Sequence, residues 1–388
     1  MPRNVHNKKT VLMVNGHYPP AKCGMGDYTK RLADEVRATG AYDVDVLTAA
    51  YPGIAKIRTE RGVRVLRIPR RWDAAEYGKL REHLRGRYDV LHIQYHDGDY
   101  PSLELLRRLP RLMKDDGRVG SVMISMAGFK DSDRSLEKLF AESDLVNVTT
   151  DEDGARIRRI TGISEPKLRT IYDGPNMLPM NERYTHTPRT QVGAKKKPAR
   201  LLHFGFLSPQ KGFEEIVEAL RIVTDSGVEV RLDVIGSDHE ARETDYFKRI
   251  KTLIKKKGMG ERITFHGFIG GAKMNRIFSQ ADLAIFPFRD GISGKRSSLW
   301  SVMSFGVPCI STESAMVPVG IRHGENILLT PAREPRVLAS AVIAAVSDDA
   351  LRARLSHGAL EVVRRQYSWE RIRTEVVDAY EAMLHGRI

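Results

Sequence analysis

Three glycine-bearing turns, each leading into a helix, hold the residues whose types and spacing could do chemistry. The chemistry they suit is holding an anion. The first, GHYPPAKCGMGDYTKRL, puts Gly24 and Gly26 just before a helix start, where free main-chain N–H groups can face a negative group. A strand-to-helix turn also takes glycine for its own sake, so the plain-turn and ligand-facing readings stand level. The second, HFGFLSPQKGFEEIVEAL, ends a strand at Gly205 and opens a helix with Lys211 and Gly212. A lysine beside a helix N-terminus opposes the helix dipole unless an anion sits there; the competing reading is a solvated lysine. The third, FPFRDGISGKRSSLWSVMSFGVPCIST, strings Asp290, Gly291, Ser293, Gly294, Lys295, Arg296, Ser297 and Ser298 between a strand ending at Pro287 and a helix starting near Leu299. Serines there cap the helix and leave amides free, and two adjacent cations favour an anionic ligand. Three phosphate-compatible turns in one chain are more specific than any one of them.

The elements that must position these turns alternate along the chain. Apolar runs at 10–16, 43–49, 62–69, 88–96, 121–128, 145–150 and 167–174 read as strands. Stretches at 28–40, 102–114, 132–142 and 151–162 read as helices. Pro110 is expected to interrupt the helix at 102–114. Between 179 and 199 the pattern lapses into NERYTHTPRTQVGAKKKPAR, which reads as a solvated linker. The alternation then restarts. Strands are expected at 199–205, 228–236, 262–268, 283–288 and 307–312, and helices at 213–227, 243–258, 273–281, 298–306, 336–347, 350–366 and 368–385. The expected organisation is a first domain over 1–185, a linker over 186–198, a second domain over 199–367, and a closing helix at 368–388 free to pack back on the first domain. Strands alternating with helices argue for parallel sheets covered on both faces. Two doubly wound α/β domains would face each other across a cleft, with ligands bound outside the carboxyl ends of the strands.

Bulk properties bound the class. The chain has 388 residues, long enough for two or three domains that each bury a core. No apolar run approaches the ~20 residues of a membrane span, and the polar, basic start lacks the core of a secretory signal. A cytoplasmic protein is expected. The two cysteines, Cys23 and Cys309, lie in different expected domains and read as free thiols. A formal net charge of +14 implies an anionic partner: nucleic acid, acidic lipid or a phosphate-rich ligand.

The ordered set CGMGDYTKRLADEV, DVLHIQYH, KLRTIYDGPN, FGFLSPQKG, ITFHGF, ADLAIFPF and MSFGVPCIST followed by ENILL spans residue 12 to about 370. In order and spacing it resembles the large group 1, or GT4-like, family of retaining glycosyltransferases of GT-B fold. The resemblance implies a nucleotide-sugar donor site in the second domain and an acceptor site in the first. Lys211 falls on the family's diphosphate-binding lysine, and the amides around Ser297, Ser298 and Leu299 on its phosphate-cradling turn. Phe268 falls where the main chain borders the donor base, and Gly24 and Gly26 on the first domain's glycine loop. It also implies retention at the anomeric carbon and no obligatory metal or cofactor.

This chain departs from the family pattern at three places. Phe206 stands where the family usually has an arginine, Ser301 at the ribose-binding glutamate, and Ala127 where a histidine usually ends the strand VMISMAG. The sugar-binding acid falls on Ser293 or, with a short insertion, on Asp290; the DG pair favours Asp290. One reading is a divergent subgroup in which Lys295 and Arg296 replace the missing positive charge. The other is a non-catalytic sugar-nucleotide binder or scaffold. On the first reading Lys211, Arg296 and the helix start at 297–299 stabilise the departing diphosphate while Asp290 holds the sugar.

The acceptor is less constrained: polysaccharide, lipid-linked or small-molecule glycan. Arg107, Arg108, Arg111 and Lys114 among leucines, with Arg81, Arg85 and Arg87, make a cationic face that would suit an anionic membrane surface or be merely solvated. A nucleic-acid-modifying glycosyltransferase fits the charge, but no recognition-helix, RRM or zinc-finger pattern supports it. Hydride transfer is disfavoured, because neither domain opens with G-x-G-x-x-G and a ribose-binding acid.

Overall fold

The computed structural model describes residues 8–96, 98–129, 135–163, 165–194, 197–236 and 244–388. The first three residues of the helix expected at 132–142, the first of the one at 243–258, and Lys195 and Lys196 of the lysine run lie outside them.

Runs such as KTVLMV and YDVLHIQYH are apolar on both alternating faces, which suits strands covered by helices above and below. In chain order the first part builds β1 (Lys9–Val14), α1 (Gly24–Ala38), β2 (Tyr42–Thr48), β3 (Ile57–Glu60), β4 (Val63–Arg67), α2 (Tyr77–Arg81), β5 (Tyr88–His96), α3 (Glu104–Asp115), β6 (Val119–Gly128), α4 (Ser135–Ala141), β7 (Leu145–Val148), α5 (Asp151–Thr161) and β8 (Leu168–Thr170). The second part builds β9 (Ala199–Phe204), α6 (Phe213–Asp225), β10 (Val230–Ile235), α7 (Asp245–Lys256), β11 (Ile263–Gly267), α8 (Gly271–Gln280), β12 (Leu283–Phe286), α9 (Ser297–Met303), β13 (Cys309–Thr312), β14 (Leu328–Thr330), α10 (Pro335–Ser347) and α11 (Asp349–Gln366). A last helix, α12 (Trp369–Leu384), closes the chain.

The chain divides into two units, Met1–Asp173 with Trp369–Ile388, and Gly174–Ser368. The first holds an eight-stranded sheet in the order β3-β4-β2-β1-β5-β6-β7-β8. Every neighbouring pair in it is parallel except β3 with β4. Here α12 packs within this unit: Tyr28 and Trp369 rings lie 5.1 Å apart, and the Tyr380 hydroxyl sits 2.6 Å from His92 Nδ1. The second unit holds a six-stranded parallel sheet, β11-β10-β9-β12-β13-β14. Strand order reverses between β1 and β5 in one sheet and between β9 and β12 in the other. Connections diverge at such points and leave a crevice at the strands' carboxyl ends. Among the described residues no helix is long and apolar enough to cross a membrane.

Several expectations need correction. The stretch expected as a solvated linker at 186–198 packs on the second unit. Val192 lies in that unit's core, the His186 N–H donates to the Phe305 carbonyl at 2.7 Å, and Arg189 pairs with the fully buried Asp282 at 2.9 Å. Its few apolar side chains are therefore anchors. Pro110 does not interrupt α3, which runs through it with Pro110 buried beside Leu106 and Leu109. The antiparallel edge strand β3, the short helix α2 and the edge strand β14 were not anticipated.

Gly212 ties the start of α6 to the end of β12. It adopts φ +65°, and a Cβ there would lie 2.1 Å from the Pro287 carbonyl oxygen. Gly212→Ala therefore meets both a left-handed backbone cost and a main-chain clash. The expected loss is roughly 2–4 kcal/mol, read as a lowered melting temperature. An unchanged melting temperature would show that the two segments are not held in this contact.

Candidate functional site

In the second unit the turn after β9 and the loop after β12 meet at the strand-order reversal, and a second basic residue latches them. The Arg289 N–H donates to the Gln210 carbonyl at 2.9 Å. Its guanidinium reaches both oxygens of Glu215, at 2.8 and 3.1 Å, and Glu214 at 3.1 Å. Glu215 sits in the first turn of α6, where a carboxylate also suits the helix dipole. Farther along the loop, the Trp300 indole N–H donates to the Gly294 carbonyl at 2.8 Å, and its ring stacks 4.0 Å from Tyr367. Both ends of the loop are thus fixed.

Between these fixings two cations share one aromatic ring. Lys211 Nζ lies 4.8 Å and the Arg296 guanidinium 4.3 Å from the centre of the fully buried Phe288 ring. Cation–π contact offsets part of the desolvation, by about 0.5–2 kcal/mol for each cation. Arg296 also pairs with Asp290 at 2.6 Å and donates to the Gly291 carbonyl at 3.1 Å. Its Nε is buried and has no acceptor among the described residues. Burial first, and Arg296 second, push the Lys211 ammonium down from its ordinary 10.5 to about 8, while Asp290 opposes the shift. Two cations facing one half-exposed carboxylate leave net positive charge in a partly dehydrated place. An incoming anion relieves that.

The structure therefore brings Lys211, Arg296 and Asp290 together. Gly205 lies at φ +138°, and a Cβ on it would stand 3.8 Å from the Ser298 side chain, so these two also adjoin. Ser293 is half-buried and its carbonyl accepts the Arg296 N–H at 3.2 Å. The phosphate-cradling amides differ from expectation. The Ser297 N–H donates to Lys295 and the Leu299 N–H to Arg296, at 3.0 and 2.8 Å; of the three, only the Ser298 amide has no protein acceptor among the described residues. Ser301, expected at the ribose, is fully buried. Its hydroxyl donates to the Ser297 carbonyl at 2.6 Å and accepts the Met177 N–H at 3.1 Å, so it serves to hold the 174–180 segment. Phe268 is 47% exposed and stacks on Phe206, 41% exposed, with ring centres 6.0 Å apart.

Gly24 and Gly26 belong to the other unit and open α1 rather than preceding it. Gly26 is required by packing, since a Cβ there would stand 3.0 Å from the His17 carbonyl oxygen. Ala127, where the family's histidine was expected, is buried in β6, but an imidazole does border that strand end. His96 fills the space beside Gly128, whose Cβ would lie 2.6 Å from the ring. Of the seven cations of the basic face, Arg81, Arg85, Arg108, Arg111 and Lys114 each pair with a carboxylate.

Sequence reasoning missed Phe288 and Arg289. Their signal was in FPFRD, where an aromatic residue and an arginine directly follow the strand.

Residues 23–174 match the family model described as glycosyl transferase 4-like domain, and residues 186–362 the one described as glycosyl transferases group 1. The chain is 23% identical over 397 residues to an uncharacterized glycosyltransferase of Methanocaldococcus jannaschii, covering 96% of this chain and 97% of that protein. Its fold is similar to sucrose-phosphate synthase from Thermosynechococcus elongatus, with a TM-score of 0.76 and 18% identity over 98% of this chain and all of that one. It is also similar to HepE of Anabaena in complex with UDP and glucose, with a TM-score of 0.72 and 16% identity over 96% of this chain and all of that one. A glycosyl transferase 4-like model and a glycosyl transferases group 1 model thus follow one another along the chain, on a GT-B fold of two parallel-sheet domains, and the chain is a glycosyltransferase of the group 1 type.

Proposed function

We propose that the site around Phe288 binds the diphosphate of a nucleoside-diphosphate sugar, and that the enzyme passes the sugar to a glycan hydroxyl, free or lipid-linked, with retention at the anomeric carbon. The observation that carries this reading is the pair of cations, Lys211 and Arg296, stacked on one ring, with Asp290 the one carboxylate acting on Lys211 among the described residues. As the bond from the anomeric carbon to the diphosphate oxygen breaks, negative charge grows on the leaving group. Two preorganised cations in a partly dry place meet it. Because side chains supply this charge, no metal is required at the diphosphate. Asp290 keeps Arg296 aimed and has a second oxygen for sugar hydroxyls. The exposed Phe206 and Phe268 rings offer the base a stacking surface at the same end of the sheet. HepE of Anabaena is seen with UDP, so UDP-sugars head the candidates. The acid pairing of the basic face reduces the free charge it would offer a lipid surface.

Two tests follow from this geometry. A thermal-shift panel of UDP, GDP, ADP, dTDP and CMP should give a clear upward shift with one base. With that donor, Lys211→Ala and Arg296→Ala should each lower turnover by at least ~10²-fold, about 2.7 kcal/mol of barrier, while each variant melts near the native temperature without nucleotide. Full activity in both variants overturns the assignment. The second test reads the proton on Lys211. The free ammonium titrates near 8, and a bound diphosphate stabilises its charged form, so binding at pH 8 should take up protons. Affinity should therefore fall as pH rises above 8, by up to ~10-fold per unit. Calorimetry in buffers of different ionisation enthalpy measures the uptake. Heat independent of buffer, with affinity flat to pH 9.5, would remove Lys211 from the anion.

A further inference from the structure

The first unit has its own strand-order reversal, between β1 and β5, and three unlike donor side chains converge there. His17 follows β1, Cys23 immediately precedes α1, and Asp99 follows β5. His17 Nδ1 lies 3.8 Å and Cys23 Sγ 3.9 Å from the same Asp99 oxygen, and the three donor atoms all lie within 4.8 Å of one another. We propose that His17, Cys23 and Asp99 form a binding site for a divalent cation of the zinc class. This inference is independent of the diphosphate site, which lies in the other unit.

The Cys23 thiol reaches Asp99 by one long S–H···O bond and His17 Nδ1 stands beyond hydrogen-bond distance of it, a loose grouping that a shared ion would draw together. Ligand atoms about 2.0–2.3 Å from a tetrahedral zinc ion stand roughly 3.3–3.7 Å from one another. The observed separations reach that with small side-chain adjustments. Two atoms of the cluster, His17 Nδ1 and Asp99 Oδ2, are buried without a hydrogen-bond partner among the described residues. Buried polar atoms are almost always satisfied, so two orphans in one cluster point to something that satisfies both.

Close main-chain approach brings the segments together. A Cβ on Gly16 would lie 2.0 Å from the Asp99 carbonyl oxygen, and one on Gly26 3.0 Å from that of His17. The convergence is thus set by backbone rather than by flexible side chains.

The donor set selects the ion. One imidazole nitrogen, one sulfur and one carboxylate suit a borderline ion such as Zn²⁺, not Mg²⁺ or Ca²⁺, which take oxygen. A Cys23 thiolate and the Asp99 carboxylate together neutralise a dication, so the filled site adds no net charge to a half-buried place. His96 Nδ1, which accepts the Gly98 N–H at 3.3 Å, stands 3.4 Å from the same Asp99 oxygen and borders the cluster. Three protein ligands leave the fourth tetrahedral position to water or to an oxygen of a bound molecule.

The test uses the whole chain, stripped with chelator and titrated in separate samples with Zn²⁺ or with Co²⁺. The expected result is one zinc per chain retained through desalting. With Co²⁺, a thiolate-to-metal charge-transfer band and the intense visible bands of a tetrahedral centre should appear. Cys23→Ser should abolish the charge-transfer band and Asp99→Asn the stoichiometric zinc, while Cys309→Ser keeps both. Circular dichroism of the metal-free variants checks that each is folded. Absence of the charge-transfer band in the native chain overturns the proposal whatever the variants do. A band that survives Cys23→Ser or disappears in Cys309→Ser overturns it equally.

Discussion

The proposed donor site depends on holding two like charges over one buried ring. Lys211 and Arg296 repel each other, and burial raises the cost of charging the lysine, which is why its ammonium titrates near 8. The Phe288 ring and Asp290 offset only part of that cost, and the two turns must still be kept together. The surrounding contacts do so: Gly212 against the Pro287 carbonyl, Arg289 bridging the first turn of α6, and Trp300 pinning the far end of the loop. The site stores unfavourable electrostatics in the free protein and releases it on meeting an anion.

Much of the fold was legible because parallel strands covered on both faces read as unbroken apolar runs. Strand β3 was not, since its side chains are largely exposed and it pairs only along one edge. The linker misreading has a similar cause. A segment with few apolar residues looks solvated in sequence, yet His186, Arg189 and Val192 suffice to anchor it when acceptors and a core face wait on the second unit. Pro110 lacks only one N–H, and burial on the apolar face of α3 outweighs that loss.

The site was legible where turn chemistry spoke. Lysine at a helix start and adjacent cations before another helix are local patterns, and they marked Lys211 and Arg296. Burial is not local. Ser301 looked available by position along the helix, but its hydroxyl is consumed by Ser297 and Met177. Phe288 looked like core and is core, though its ring face is also the floor of the site. The His17, Cys23 and Asp99 cluster was not picked out in the sequence, because it forms only when the segment after β1 and the segment after β5 meet in space.

The replacement of the family's arginine by Phe206 then has a physical account. A third cation in the turn that carries Lys211 would add to the repulsion that already depresses the lysine. With Arg296 paired to Asp290 and seated on Phe288, the positive charge is supplied from the loop after β12 instead of the turn after β9. The vacated position is free for an aromatic ring, and Phe206 uses it to stack on Phe268 at the carboxyl edge of the sheet, with both rings substantially exposed. Exposed paired aromatics cost solvation unless a flat partner covers them. On the divergent-subgroup reading, the departure is a transfer of charge from one turn to the next, with an apolar stacking face in its place.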